Sequence, residues 1–91
     1  MYQLLFYESK ALLQDKKRLS KDRSAFSAVQ AALGKLAVDP FAKGIFVKKL
    51  HASDEATFRL RCGDWRILFD VDTSNKNIIV YRIKQRKEGY S

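Results

Sequence analysis

The fifteen residues Thr57–Val71, TFRLRCGDWRILFDV, leave the chain little choice of fold. Two runs of aromatic and β-favouring residues flank Gly63-Asp64, a dipeptide suited to a two-residue turn with positive φ. Counting outwards from that turn sets a register: Cys62 faces Trp65, Arg61 faces Arg66, Leu60 faces Ile67 and Phe58 faces Phe69. Side chains alternate along a strand, so Phe58, Leu60, Cys62, Trp65, Ile67 and Phe69 share one face. Arg59, Arg61 and Arg66 share the other. Like charges set directly across two strands oppose each other. A sheet built only to fold rarely places Arg61 against Arg66, whereas an anionic ligand over that face removes the conflict.

The rest of the chain must cover the apolar face. Tyr2–Tyr7 is a short apolar run, expected to be a first strand covered on both sides. Ser9 is placed to cap a helix over Lys10–Leu19, with Ala11, Leu12 and Leu19 turned inwards. Ser20-Lys21-Asp22 interrupts the pattern, and a second helix follows to about Val38. On it Phe26, Val29, Ala32 or Leu33, and Leu36 form an apolar stripe at helical spacing. Gly34 weakens this helix by about 1 kcal/mol relative to Ala, and Asp39-Pro40 ends it. Phe41–Gly44 reads as a loop, Ile45–Leu50 as a segment able to extend, and His51–Ala56 as a polar connection. Beyond the hairpin, Asp72–Asn77 is turn-rich, and Ile78–Ile83 is a further strand antiparallel to the second hairpin strand. The order β-α-α-β-β-β predicts one α+β domain over residues 1–91, a small antiparallel-rich sheet with two N-terminal helices on one face. The arginines point to the other face.

Charge narrows what that face meets. The chain carries 18 Lys+Arg against 10 Asp+Glu, a formal charge of +8. Such an excess suits phosphate polymers, an acidic protein or an anionic membrane surface. Five of the seven arginines (Arg59, Arg61, Arg66, Arg82, Arg86) fall in the last third. A guanidinium matches phosphate with two parallel hydrogen bonds, which favours nucleic acid. The Lys16-Lys17-Arg18 run reads as a solvated helix face. One cysteine excludes an internal disulfide and a cysteine-based zinc site, and Cys62 on the apolar face reads as core filler. His51 has no partner at metal-ligand spacing and reads as an ordinary loop residue, with proton transfer as the alternative. Asp64 reads as a turn residue and Asp70 as a salt-bridge partner. No apolar run reaches the length of a signal-peptide core or a membrane span. A soluble, cytoplasmic protein with no membrane attachment, metal or cofactor is expected.

Lys48, Lys49, Lys84, Arg82 and Lys87 extend the basic surface as candidate phosphate contacts. Arg82 and Lys84 join it if strand alternation carries the same parity. Arg86 and Tyr90 follow on the tail. Preorganised guanidinium groups stabilise the charge that grows on the non-bridging oxygens of a phosphodiester attacked by its own 2′-hydroxyl. A tyrosine can stack on a base or contact that hydroxyl. Nucleic-acid binding is the reading the residues carry, and catalysis is a further step.

The pattern resembles the RelE/ParE superfamily of toxins from toxin–antitoxin pairs. The resemblance rests on Lys48-Lys49-Leu50, on Phe58-Arg59-Leu60-Arg61-Cys62-Gly63-Asp64-Trp65-Arg66-Ile67, and on Arg86 followed by Tyr90. The helical segment ending Leu36-Ala37-Val38-Asp39-Pro40-Phe41 is similar too. The resemblance implies a microbial-ribonuclease-like α+β fold. For the RelE branch it implies a ribosome-dependent endoribonuclease that cuts mRNA and leaves a 2′,3′-cyclic phosphate. Arg59 and Arg61 would then hold the phosphate backbone, Arg66 would stabilise the transition state, Arg86 would assist the leaving group, and Tyr90 would orient the 2′-hydroxyl. RelE-type enzymes often carry lysine at the positions of Arg59 and Arg61, and some carry histidine where this chain has Gln85. The ParE branch implies DNA gyrase as the target instead, and a non-catalytic binding module is the third possibility. Expected partners are a cognate antitoxin, the ribosome and mRNA, with operator DNA reached only through the antitoxin complex.

Overall fold

The computed structural model describes residues 1–42, 47–50 and 56–85. The chain runs through β1 (Gln3–Phe6), α1 (Lys10–Ser20), α2 (Arg23–Val38), β2 (Val47–Lys49), β3 (Phe58–Cys62), β4 (Trp65–Asp72) and β5 (Asn77–Gln85). The five strands form one sheet in the order β1-β5-β4-β3-β2, with β1 parallel to β5 and every other pair antiparallel. The α+β class and the element order are as expected, with β2 added as a short edge strand within Ile45–Leu50.

Local chemistry explains where the helices begin and end. The Ser9 hydroxyl accepts the Leu12 N–H at 3.1 Å, and the Asp22 carboxylate accepts the Ala25 N–H at the same distance. Each cap satisfies one of the donors a helix start leaves open. Asp39 ends α2: its N–H still donates to Lys35, while its carboxylate accepts the Phe41 N–H at 3.0 Å. Among the described residues no helix is long and apolar enough to cross a membrane.

The core lies between the helices and one face of the sheet. Leu12, Leu19, Val29, Leu33 and Leu36 meet Leu60, Trp65, Ile67, Phe69, Ile78, Val80 and Ile83. Three expectations change. Ala11 faces solvent and Asp15 takes the buried place on α1. Phe26 stays partly exposed at the edge of the α2 stripe. β1 is not covered on both sides, because as an edge strand it leaves Leu5, Phe6 and Tyr7 partly in solvent.

The hairpin register is as counted, with Arg61 opposite Arg66. Gly63 takes φ +58 while Asp64 does not adopt a positive φ, so only the first turn residue requires glycine. A register shift interrupts β4–β5: Leu68 pairs with Arg82 but Phe69 pairs with Val80, leaving Tyr81 as an extra residue in β5. Such a bulge locally twists the strand and redirects its side chains.

Candidate nucleic-acid interface

On the face away from the helices, one row of side chains crosses three strands: Arg61 on β3, Arg66 on β4 and Lys84 on β5. The next row holds Lys48 on β2 opposite Arg59 on β3, then Leu68 on β4. Hydrogen-bonded strands sit roughly 4.8 Å apart, so these cations are forced into proximity by the backbone.

The sheet manages this repulsion through Arg66, which is only 7% exposed. Its Nη1 donates to the Gly63 carbonyl at 2.9 Å and to the Trp65 carbonyl at 3.0 Å. Charge-assisted bonds to backbone oxygens compensate part of the lost hydration. The guanidinium is therefore locked against the turn, and its Nε is buried without a hydrogen-bond partner in the protein. Arg61 is exposed and Arg59 half-buried. The row thus combines one rigid cation with an exposed Arg61 and a half-buried Lys84. Sequence reasoning placed Arg66 in the open; the structure buries it because its side chain folds back over the turn.

Two candidate phosphate contacts stand elsewhere. Arg82 keeps the parity of Lys84, opposite Leu68 in the row of Lys48 and Arg59, but its side chain turns to the edge of the sheet. β1 stops pairing at Val80, and α1 lies against the freed edge of β5. There Asp15, 1% exposed, accepts from Arg82 Nε at 2.6 Å, from Arg82 Nη2 at 3.1 Å and from the Ile83 N–H at 3.0 Å. Arg82 is committed to a largely buried ion pair beside the bulge. Lys49 pairs with Phe58 rather than Arg59, which puts it on the helix-side parity, lining a groove of about 240 Å³ with Pro40, Phe41 and Val47. Lys48 and Lys84 keep the expected parity. Arg86, Lys87, Tyr90 and His51 lie outside the described residues.

The same face carries a second group that the sequence did not signal. Asp70 accepts the Thr57 N–H at 2.6 Å. Burial, then the Asp70 charge and its hydrogen bond, hold the Tyr81 phenol above its ordinary pKa, with Tyr7 adding to the effect. The Tyr7 and Tyr81 rings lie 5.2 Å apart, tilted at 51°. Only the bulge and the position of β1 bring these residues together. Cys62 is a free, half-buried thiol whose pKa burial pushes up, as core filler should be. Among the described residues no cluster of three or more His, Cys, Asp or Glu side chains is placed to hold a metal ion.

Comparison with known proteins adds the context. A family model for the ParE toxin of the type II toxin–antitoxin system parDE matches residues 7–90. No curated protein matches the chain in sequence. Among solved structures, the archaeal RelE–RelB complex of Pyrococcus horikoshii is similar at a TM-score of 0.74 and 21% identity, over 99% of this chain and 98% of that one. The Mycobacterium tuberculosis toxin–antitoxin complex RelBE2 is similar at 0.71 and 25% identity, over 93% and 98%. Escherichia coli YafQ is similar at 0.69 and 14% identity, over the full length of both chains.

Proposed function

The chain belongs to the ParE toxin family of type II toxin–antitoxin systems, within the RelE/ParE superfamily, and from that premise we propose that it is a ribosome-dependent mRNA endoribonuclease. One observation carries the reading: Arg61, Arg66 and Lys84 form a cationic row on one sheet face, with Arg66 rigidly buried at its centre. Three cations in register give a place for a phosphodiester, and a preorganised guanidinium stabilises charge without reorganising during reaction.

In the proposed reaction the 2′-oxygen attacks the adjacent phosphorus, the bond to the 5′-oxygen breaks, and a 2′,3′-cyclic phosphate and a 5′-hydroxyl result. Arg66 and Arg61 neutralise the non-bridging oxygens while Arg59, Lys48 and Lys84 hold the neighbouring backbone. Arginine cannot readily yield a proton, so these groups act through charge. The family resemblance gives Arg86 the leaving 5′-oxygen, whose charge it would steady rather than protonate, and Tyr90 the 2′-hydroxyl, whose proton would pass through solvent to that leaving oxygen. A cognate antitoxin is the proposed resting partner, since two of the similar structures are toxin–antitoxin complexes. An acidic segment complements a surface of this charge. Ribosome dependence places the protein in the cytoplasm, and operator DNA would be reached only through the antitoxin complex.

The ParE description of the matching family favours a second reading, inhibition of DNA gyrase. Mapping RNA 5′ ends in a translation extract, alongside a gyrase supercoiling assay, separates the two. New 5′ ends within ribosome-bound messages support the ribonuclease. Intact messages with blocked supercoiling overturn it in favour of gyrase.

A further inference from the structure

We propose that Tyr7 and Tyr81 form a base-stacking subsite for the single-stranded RNA whose phosphates lie along Arg61, Arg66 and Lys84, an inference that rests on the RNA reading above. The two tyrosines belong to the same sheet face as the cations. Ile79 pairs with Leu5 on one side and Asp70 on the other, and Asp70 follows Arg66 at the even spacing that keeps one face. Tyr7, just past the end of β1, and Tyr81, on β5, each stand two residues beyond that pairing.

The platform is rigid on one side and open on the other. Tyr81 is half-buried and lies against Asp70, which is itself fixed by the Thr57 N–H. Tyr7 is 55% exposed and meets Tyr81 at 51° rather than face to face, so much of its ring surface is presented outwards. Beside it, towards α1 at the edge of the sheet, opens a groove of about 440 Å³ lined by Phe6, Glu8, Lys10, Leu13 and Lys16. Lys16 is already seated over the Phe6 ring, and with Lys10 against Glu8 it leaves that edge net basic, which favours a strand that carries negative charge. Ring surface like that of Tyr7 stacks any base, because every base has a π-face.

Charge along the face assigns backbone and base to different ends. Asp70 and Asp72 share the tyrosines' end and repel phosphate, while the cationic row attracts it. From Lys84 to Tyr81 is three residues, about 10 Å at roughly 3.3 Å per residue. A short stretch of single strand spans that distance, with its phosphates on the row and an unstacked base turned towards Tyr7. The bulge at Tyr81 makes this possible by adding a residue to β5, so that aromatic and basic side chains occupy one face.

The test uses the full chain and a short oligoribonucleotide carrying the fluorescent base 2-aminopurine at successive positions, with a matching strand abasic at each. With the wild-type protein, fluorescence is expected to be quenched at one position. Tyr7→Ala should remove the quenching and weaken binding of the intact strand about tenfold, as expected for one stacked base. It should leave binding of the abasic strand unchanged and lower the melting temperature only by the few degrees that the ring contact with Tyr81 is worth. Tyr7→Phe should behave as wild type, since stacking needs the ring and not the hydroxyl. Unchanged quenching and affinity in Tyr7→Ala would overturn the subsite and leave the RNA reading standing. Equal weakening on intact and abasic strands would also overturn it. Wild-type protein that binds neither strand, free or on a programmed ribosome, would remove the RNA reading and the subsite with it. If Tyr7→Ala instead loses only antitoxin affinity, the occupant is a protein segment and the base subsite is wrong.

Discussion

Replacing Arg61 by alanine separates the cost of the cationic row from its use. Arg61 is exposed and directly opposite Arg66, with Lys84 one strand further on. Cross-strand pairs are worth roughly 0.2–1 kcal/mol in magnitude, and like charges fall on the unfavourable side. Removing the exposed partner should therefore stabilise the fold by about 0.5 kcal/mol at low salt, once the lost packing of its alkyl stem is subtracted. The gain should disappear at about 1 M salt, where the screening length falls to about 3 Å. Urea denaturation at both salt concentrations measures this. In parallel, RNA affinity should fall, and the slope of log affinity against log salt should become shallower by about 0.7 for one lost phosphate contact. Arg66→Ala is the contrast. It strands the Gly63 and Trp65 carbonyls and should destabilise the protein by about 1–3 kcal/mol. If Arg61→Ala destabilises by more than about 1 kcal/mol at low salt, Arg61 is structural and the opposed pair is no sign of an anionic ligand. An unchanged salt slope would refute the phosphate contact itself.

Asp15→Ala should cost about 2–4 kcal/mol by urea denaturation, and Arg82→Ala a similar amount, because it leaves the buried carboxylate only the Ile83 N–H and Arg18 at 3.6 Å. The double variant should lose less than the sum of the two, and additivity would refute the coupling. Gly34→Ala should stabilise α2 by about 0.5–1 kcal/mol, because a Cβ there meets nothing within 4 Å; a lower melting temperature would contradict the open surface. Burial disfavours the Cys62 thiolate, so alkylation should run slower than that of a free thiol and rise through a midpoint above pH 9.0. The sign for stability follows: with the folded pKa raised, the contribution is complete below the unfolded value and is lost as pH rises through the folded one. Faster alkylation than a small-molecule thiol would reverse this picture.

Periodicity and punctuation carried most of the fold. Gly63-Asp64 set the hairpin register because a two-residue turn leaves no freedom to slip, and an alternation of two then assigned Phe58–Phe69 to the core and Arg61–Arg66 to the opposite face. Ser9 and Asp39-Pro40 marked helix ends through local hydrogen bonding and steric effects that need no partner elsewhere. β1 was misjudged as covered, since an apolar run does not reveal whether its strand ends at an edge or at the centre of a sheet.

What alternation could not carry was anything beyond the first irregularity. The extra residue at Tyr81 breaks the count of two towards Val80, and Arg82, though still in register opposite Leu68, takes its fate from what lies beside the bulge. There Asp15, sixty-seven positions away in sequence, met it through space. The burial of Arg66 was hidden for a related reason: its rotamer answers to turn carbonyls and neighbouring strands, not to its place in the pattern. Tyr7, Tyr81 and Asp70 likewise gave no signal as a group, because only the pairing of β1 beside β5 brings them together. The sequence by itself thus determined the element order, the hairpin register and a cationic face, all governed by local geometry and the period of two. Tertiary structure alone decided which cations stay available and which are tied down, because that depends on long-range contacts no local period encodes.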